Sequence, residues 1–192
     1  MSSRHPQVDE ISSDGRFRWD GREWMPMARV RREPTAWTLP MQRVAATYLA
    51  LATIQSLLST ALFQNAATLE RVARAGNPSL PEDQVRATVS VGLAVGWATV
   101  IVLAAAMLVL AFGSLRGWRW AFWAVLAWLA LSSIGVVTNL LALANPALQP
   151  QPPPFIVIEL VLSVVALGLL VWFVLAAARF GPWATRRPTS AR

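Results

Sequence analysis

Residues 89–112 read VSVGLAVGWATVIVLAAAMLVLAF, an unbroken run without a charged residue, and this run decides the fold. A membrane-spanning helix needs ~20 mostly apolar residues, because the bilayer core is ~30 Å thick and each helical residue rises ~1.5 Å. The run is too long and too continuous for a barrel strand, and lipid offers the backbone no hydrogen-bond partner, so a helix is required. Three further blocks pass the same test. Residues 41–65 carry no charge after Arg43, residues 120–144 carry none at all, and residues 155–178 carry only Glu159. The expected fold is therefore an all-α integral membrane protein, a bundle of four transmembrane helices.

Composition agrees. Of 192 residues, 55 % are hydrophobic and 14 % charged, against about a quarter charged in soluble domains. The 17 basic residues are all Arg and face 10 acidic ones, a formal charge of +7. Hydrophobic blocks between the charges fit a bilayer with anionic headgroups as the partner, and nucleic acid is not expected. There is no Cys, and the one His, His5, lies in a polar tail. That removes disulfides, thiol chemistry, His-based triads and thiolate or imidazole metal sites. No phosphate-binding glycine loop, carboxylate pair or internal repeat occurs either. No catalytic residue, metal or cofactor is expected.

The blocks divide the chain into a tail at 1–40, TM1 at 41–65, an outer helical extension or loop at 66–88 and TM2 at 89–112. A short loop at 113–119, TM3 at 120–144, a Pro-rich loop at 145–154, TM4 at 155–178 and a tail at 179–192 follow. TM1 is too long, and too far from the start, for a cleaved signal peptide. Arg resists translocation, so its distribution orients the spans. Fourteen Arg lie on the side of the two tails and three, Arg71, Arg74 and Arg86, on the other. Both termini are therefore expected in the cytoplasm, with the protein in the cell (plasma) membrane. Trp37, Trp118, Trp120 and Trp183 fall near the cytoplasmic span ends, where indoles favour the headgroup level.

Beyond TM1, Glu70 and Arg74 stand at i,i+4, as do Glu82 and Arg86 before TM2, and Ser79-Leu80-Pro81-Glu82 has a capping-box pattern. The first two spans are expected to run on as helices above the outer face. In residues 145–154 the prolines favour an extended, stiff connection, the last of them able to begin TM4.

The tail holds an element of its own. Asp20-Gly21 predicts a two-residue hairpin turn, because type I′ needs positive φ at both positions. That register sets Trp19 opposite Arg22, Arg18 opposite Glu23 and Phe17 opposite Trp24. Alternation then gathers Phe17, Trp19 and Trp24 on one face, and Arg16, Arg18 and Glu23 on the other. Two strands alone are marginally stable, so the aromatic face is expected to meet its own flanks, the bilayer or a protein partner. The run D-G-R-F-R-W-D-G-R-E-W-x-P, about 15 of 192 residues, resembles the short tryptophan-rich hairpins with a W-D-G turn that precede transmembrane segments in uncharacterised actinobacterial multi-pass membrane proteins. The resemblance implies a small recognition or membrane-apposition module without known catalysis.

Inside the spans, Glu159 is the one carboxylate, and an ionisable group there is a functional candidate. It lies ~7 Å into its helix, within reach of headgroups and of the favourable helix N-terminus, so an interfacial role competes with that of a proton or cation site. Asn139 in TM3 is its expected hydrogen-bond partner. Gln55 and Ser59, one turn apart in TM1, are expected to face a neighbouring helix, and a polar path between TM1, TM3 and TM4 would use Gln55, Asn139 and Glu159. Gly92 and Gly96, spaced by four in TM2, permit close helix approach, within the chain or in a homo-oligomer. The leading functional expectation is a non-enzymatic membrane interaction or accessory protein acting through Phe17, Trp19 and Trp24. The alternative is a small transporter or channel using Glu159.

Overall fold

The structure, a computed structural model, describes residues 8–13, 17–26 and 33–186, and the chain divides into two compact units. In the smaller, β1 (Phe17–Trp19) pairs antiparallel with β2 (Trp24–Pro26). The register differs from the expected one. Trp19 stands opposite Trp24, Arg18 opposite Met25 and Phe17 opposite Pro26, so the connection has four residues rather than two. Asp20 is the reason. Its carboxylate accepts the N–H groups of Arg22 at 2.7 Å and Glu23 at 2.8 Å, a local bond that competes with strand pairing, and Glu23 is drawn into the turn. Of the two turn positions only Gly21 takes a positive φ, at +100°. The shift is by an even number of positions, so Phe17, Trp19 and Trp24 stay on one face. Arg16 lies outside the described residues.

The free edge of β1 is covered by the preceding segment. Asp9 N–H donates to the Trp19 carbonyl, Trp19 N–H to that of Glu10 and Ser12 N–H to that of Phe17, at 2.8 to 3.0 Å. Asp9 also pairs with Arg18 at 3.3 Å. Three backbone segments thus replace the two read from sequence, which supplies part of the support a lone hairpin lacks.

The larger unit contains α1 (Thr38–Phe63), α2 (Ala66–Gly76), α3 (Glu82–Leu115), α4 (Arg119–Ala144) and α5 (Pro153–Phe180). Four of these, all but α2, are long and apolar enough to cross a membrane. The protein is a four-span helical membrane protein. α3 exceeds the expected TM2 by a turn or more at its start, whereas α1 does not run on. Asn65 breaks it, its side chain accepting Thr68 N–H at 3.0 Å to cap a separate α2. The capping box at Ser79 is not formed. Ser79 Oγ donates to Asn77 Oδ1 at 2.8 Å, and Pro81 precedes the first turn of α3 without a side-chain cap. The 145–154 connection opens with a 3-10 turn, Pro146–Leu148, before its extended part, because Asn145 accepts the Leu148 N–H and shortens the path.

Packing joins α1 to α3 and α4 to α5, and the two pairs meet mainly where the chain enters and leaves the bundle. Met41, Ala45 and Leu49 of α1, Phe122, Val125 and Leu129 of α4, and Ala166, Phe173 and Ala176 of α5 are fully buried there. Span hydroxyls are satisfied locally: Thr53, Ser114 and Ser133 each donate to the carbonyl four residues back at 2.7 Å. The remaining helix surface is apolar and exposed, as on Val102 and Leu108 of α3, a surface for which lipid tails are as good a neighbour as protein.

The core is closed by a turn that the sequence did not announce. After Gly181 (φ +87°), Trp183 and Ala184 both take left-handed conformations, at +55° and +51°. Such residues cost about 1–3 kcal/mol each and persist where surroundings determine them. Here Trp183 lies edge-on to Phe122 and Phe173, its ring centre 5.3 and 6.1 Å from theirs, and is 1 % exposed. The expected headgroup position of Trp183 is thereby corrected: its ring fills the space between α4 and α5 that the chain reaches only by reversing at Gly181. Trp37, Trp118 and Trp120 remain exposed at this end.

Candidate functional site: a polar cleft between three spans

Helical spacing builds the site. Tyr48, Ala52 and Gln55 repeat at i, i+4 and i+7 on α1, and Trp128, Ser132, Gly135 and Asn139 repeat likewise on α4, so each set lines one face. Glu159 and Ser163, one turn apart, supply the wall from α5. Together they line an open cleft of about 460 Å³, within the 300–1,000 Å³ usual for small-molecule sites.

Towards the termini the cleft ends against the packed apolar core closed by Trp183, and towards α2 a second pocket lined by Ser59, Thr60, Gln64 and Gln151 lies next to it. Towards α2, Phe63 of α1 meets Phe155 of α5 edge-on at 4.6 Å, and Arg71 of α2 donates to the Gln149 carbonyl at 3.2 Å. Its lip is formed by Leu131 and Ile134 of α4, 62 % and 59 % exposed, on the flank of the bundle.

Inside, the expected Glu159–Asn139 contact is replaced. Glu159 Oε1 accepts Gln151 Nε2 at 3.0 Å, because the chain before α5 folds back over its first turns and brings that amide to the carboxylate. Asn139 Nδ2 instead reaches Ser163 Oγ at 3.4 Å, and Ser163 Oγ donates to the Glu159 main-chain carbonyl at 2.8 Å. Asn139 and Glu159 are thus linked through one hydroxyl. Gly135 makes this possible, since a Cβ there would collide with Ser163 Oγ. Tyr48 turns its hydroxyl to Ser132 across the α1–α4 gap. Gln55 Nε2, Trp128 Nε1 and Gln151 Oε1 are buried without a hydrogen-bond partner among the described residues. An unpaired buried polar group costs about 1–3 kcal/mol, so these atoms mark a region not arranged for stability alone. Among the described residues no three His, Asp or Glu side chains gather as metal ligands.

The structure thus brings Gln55, Asn139 and Glu159 to one cleft. Sequence reading passed over Tyr48, Trp128, Ser163 and Gln151, although the one Tyr of the chain and a Trp at mid-span, far from either headgroup layer, were signals to follow. Gly92 and Gly96 lie elsewhere, against α1 and α2. Gln64 Nε2 donates to the Gly92 carbonyl at 3.1 Å, Leu69 packs against Gly92, and a Cβ on Gly96 would collide with the Gln64 amide.

Phe17, Trp19 and Trp24 belong to the smaller unit. Trp19 and Trp24 pack with ring centres 5.4 Å apart, while Phe17 and Trp24 stay 38 % and 39 % exposed. The Glu23 and Arg22 N–H groups hold the Asp20 carboxyl below its usual range. Compared with protein-family models, curated proteins and solved structures, the chain matches none.

Proposed function

We propose that this is a non-enzymatic membrane protein that takes a small molecule from the bilayer into the cleft between α1, α4 and α5. One observation carries the reading: a cleft holding a carboxylate ends in packed apolar core towards the termini and is lipped by exposed Leu131 and Ile134. A continuous aqueous pore would need polar side chains along the terminal half, where Leu49, Phe122, Leu129 and Phe173 are packed instead. This favours lateral binding over a channel. A carrier would use the same cleft as its binding state.

Mass spectrometry of small molecules that co-purify with the protein from native membranes tests the reading. Ser132→Phe fills the cleft and is expected to remove a ligand that wild type retains. Identical small-molecule content in both, at matched folding, rejects it.

A second reading rests on the aromatic face of Phe17, Trp19 and Trp24, part of which stays exposed beside a completed small sheet. Such a face suits a protein partner or the headgroup layer. Trp19→Ala with Trp24→Ala is expected to abolish recovery of a specific partner while insertion continues; unchanged recovery removes this reading. The cytoplasmic position of the termini, supported by the Arg distribution, belongs to the same proposal, as do the plasma-membrane location and the resemblance to actinobacterial hairpin proteins.

A further inference from the structure

The geometry points to an amphiphilic organic amine, bound as its ammonium cation against Glu159, as the class of ligand the lateral cleft takes. The inference rests on the lateral-binding reading and adds the chemistry of the ligand.

Charge is the first argument. Among the residues lining the cleft Glu159 is the one carboxylate, and no Arg or His stands among them. In a low-dielectric site an anionic headgroup would face this carboxylate without a compensating cation, whereas an ammonium group would gain from it. The Gln151 amide already donates one hydrogen bond to Oε1 and leaves Oε2 for another donor.

The second argument is the match of donors and acceptors. An ammonium group has three N–H donors and no acceptor, and at the level of Glu159 the cleft offers the carbonyl oxygen of Asn139 as a further acceptor. Tyr48 and Trp128 line the cleft two to three helical turns away from Glu159, where they would meet the apolar body of the ligand.

Access supplies the third. Leu131 and Ile134 at the lip face the hydrocarbon, so a ligand must be soluble there as well as polar at one end. A primary amine on an apolar body meets both demands, because it leaves its proton in water before transit and, as the neutral amine, takes the proton of the Glu159 carboxyl to form the ammonium–carboxylate pair.

The test uses the full-length protein in phosphatidylcholine nanodiscs, whose zwitterionic lipid does not itself collect cations. Three fluorescent probes with one dansyl body are titrated: dansylcadaverine, a primary amine; the matched dansyl carboxylate; and the matched neutral dansyl amide. Saturable binding of the amine at least about tenfold tighter than of the other two is expected, the size of one charge-assisted hydrogen bond. Glu159→Gln keeps shape and is expected to erase that preference. Ser132→Phe, which fills the cleft, is expected to remove binding of every probe. If all three probes bind equally and Glu159→Gln changes nothing while Ser132→Phe still abolishes binding, the cation proposal is overturned and the cleft remains a binding site. If no probe saturates, or if binding survives Ser132→Phe, both fail. A correctly folded Glu159→Gln protein is verified by its size-exclusion profile and thermal unfolding before titration.

Discussion

The indole N–H of Trp183 donates to the main-chain carbonyl of Trp118 at 2.8 Å, tying the segment after α5 to the turn that starts α4. A second tie runs from the other terminus of the bundle, where Thr35 Oγ1 and Thr38 Oγ1 donate to the Ala184 carbonyl at 2.7 and 3.1 Å. The residues that begin and end the larger unit are locked together around one strained turn. Trp183→Ala is expected to destabilise the protein by about 3–5 kcal/mol, the range for a buried Trp or Phe truncated to Ala. Reversible unfolding in mild detergent measures this; a loss below ~1 kcal/mol would mean that the ring does not hold the helix pairs together.

Strain at the same turn gives a second prediction. Ala184 sits at φ +51°, so Ala184→Gly relieves left-handed strain at the loss of one buried methyl group. The two effects are of similar size, so a change within about 1 kcal/mol of neutral is expected, far smaller than the loss from Trp183→Ala. Gly181→Ala, at φ +87°, is expected to destabilise by about 1 kcal/mol or more. The contrast between the two in a thermal unfolding assay separates backbone strain from packing.

At the opposite end, Gly96 and Gln64 form a testable pair. A Cβ at Gly96 meets the Gln64 amide, so Gly96→Ala is expected to cost about 1–3 kcal/mol as an overpacked site. Gln64→Ala vacates that space at the expense of the bond to the Gly92 carbonyl. The double variant is therefore expected to be more stable than the two single losses add up to, and a double-mutant cycle reads the difference. Strict additivity would show that Gly96 is free of Gln64.

How much of this was legible beforehand follows from how local each signal is. Span positions needed only length and hydropathy, and they stand out because the four apolar blocks hold no charge other than Arg43 at the start of the first and Glu159 in the last. Gln55, Asn139 and Glu159 could be grouped because polar side chains in lipid must find one another. The Glu159 partner was missed because Gln151 reaches it by a chain reversal before α5, and the path of a proline-rich connection is set by tertiary contacts rather than by its own residues. Trp183 was misplaced for the same reason: near a span end an indole has two low-energy homes, headgroup or core, and only the reversal at Gly181 chooses. In the hairpin, Asp20-Gly21 correctly marked a turn, but the Asp20 side chain competed for the N–H groups on which the two-residue form depends.

That competition makes the hairpin sensitive to acid. The folded Asp20 carboxyl titrates below its unfolded value, held there by the Glu23 and Arg22 N–H groups. Its stabilising contribution is then whole above the ordinary aspartate value of ~3.9 and is lost as pH falls through the lower folded value. The circular-dichroism signal of the packed Trp19–Trp24 pair, isolated by subtracting a Trp24→Ala variant, is expected to fade over that acid range and to hold steady from there to neutrality. Asp20→Asn keeps an acceptor for the same N–H groups without a titrating charge, so its signal is expected to be flat with pH. Equal acid sensitivity in both proteins would assign the effect to another group.

Orientation can be read directly, because a chain without Cys accepts single reporter cysteines against a silent background. Ser12 lies in the small sheet before the first span and Ser79 in the connection between α2 and α3, so the two stand on opposite sides of α1. Fourteen Arg on the side of the tails against three on the other predict that the tails stay in the cytoplasm. A membrane-impermeant maleimide added to intact cells is expected to label Ser79→Cys and to spare Ser12→Cys until the membrane is opened. Moving the bias tests its cause: Arg116 and Arg119 flank the short α3–α4 turn, and changing both to Gln while adding Arg to the 145–154 connection weakens the asymmetry that orients the second helix pair. Labelling of Ser12→Cys in intact cells would invert the assignment and place the α2 end, with its three Arg, on the inside.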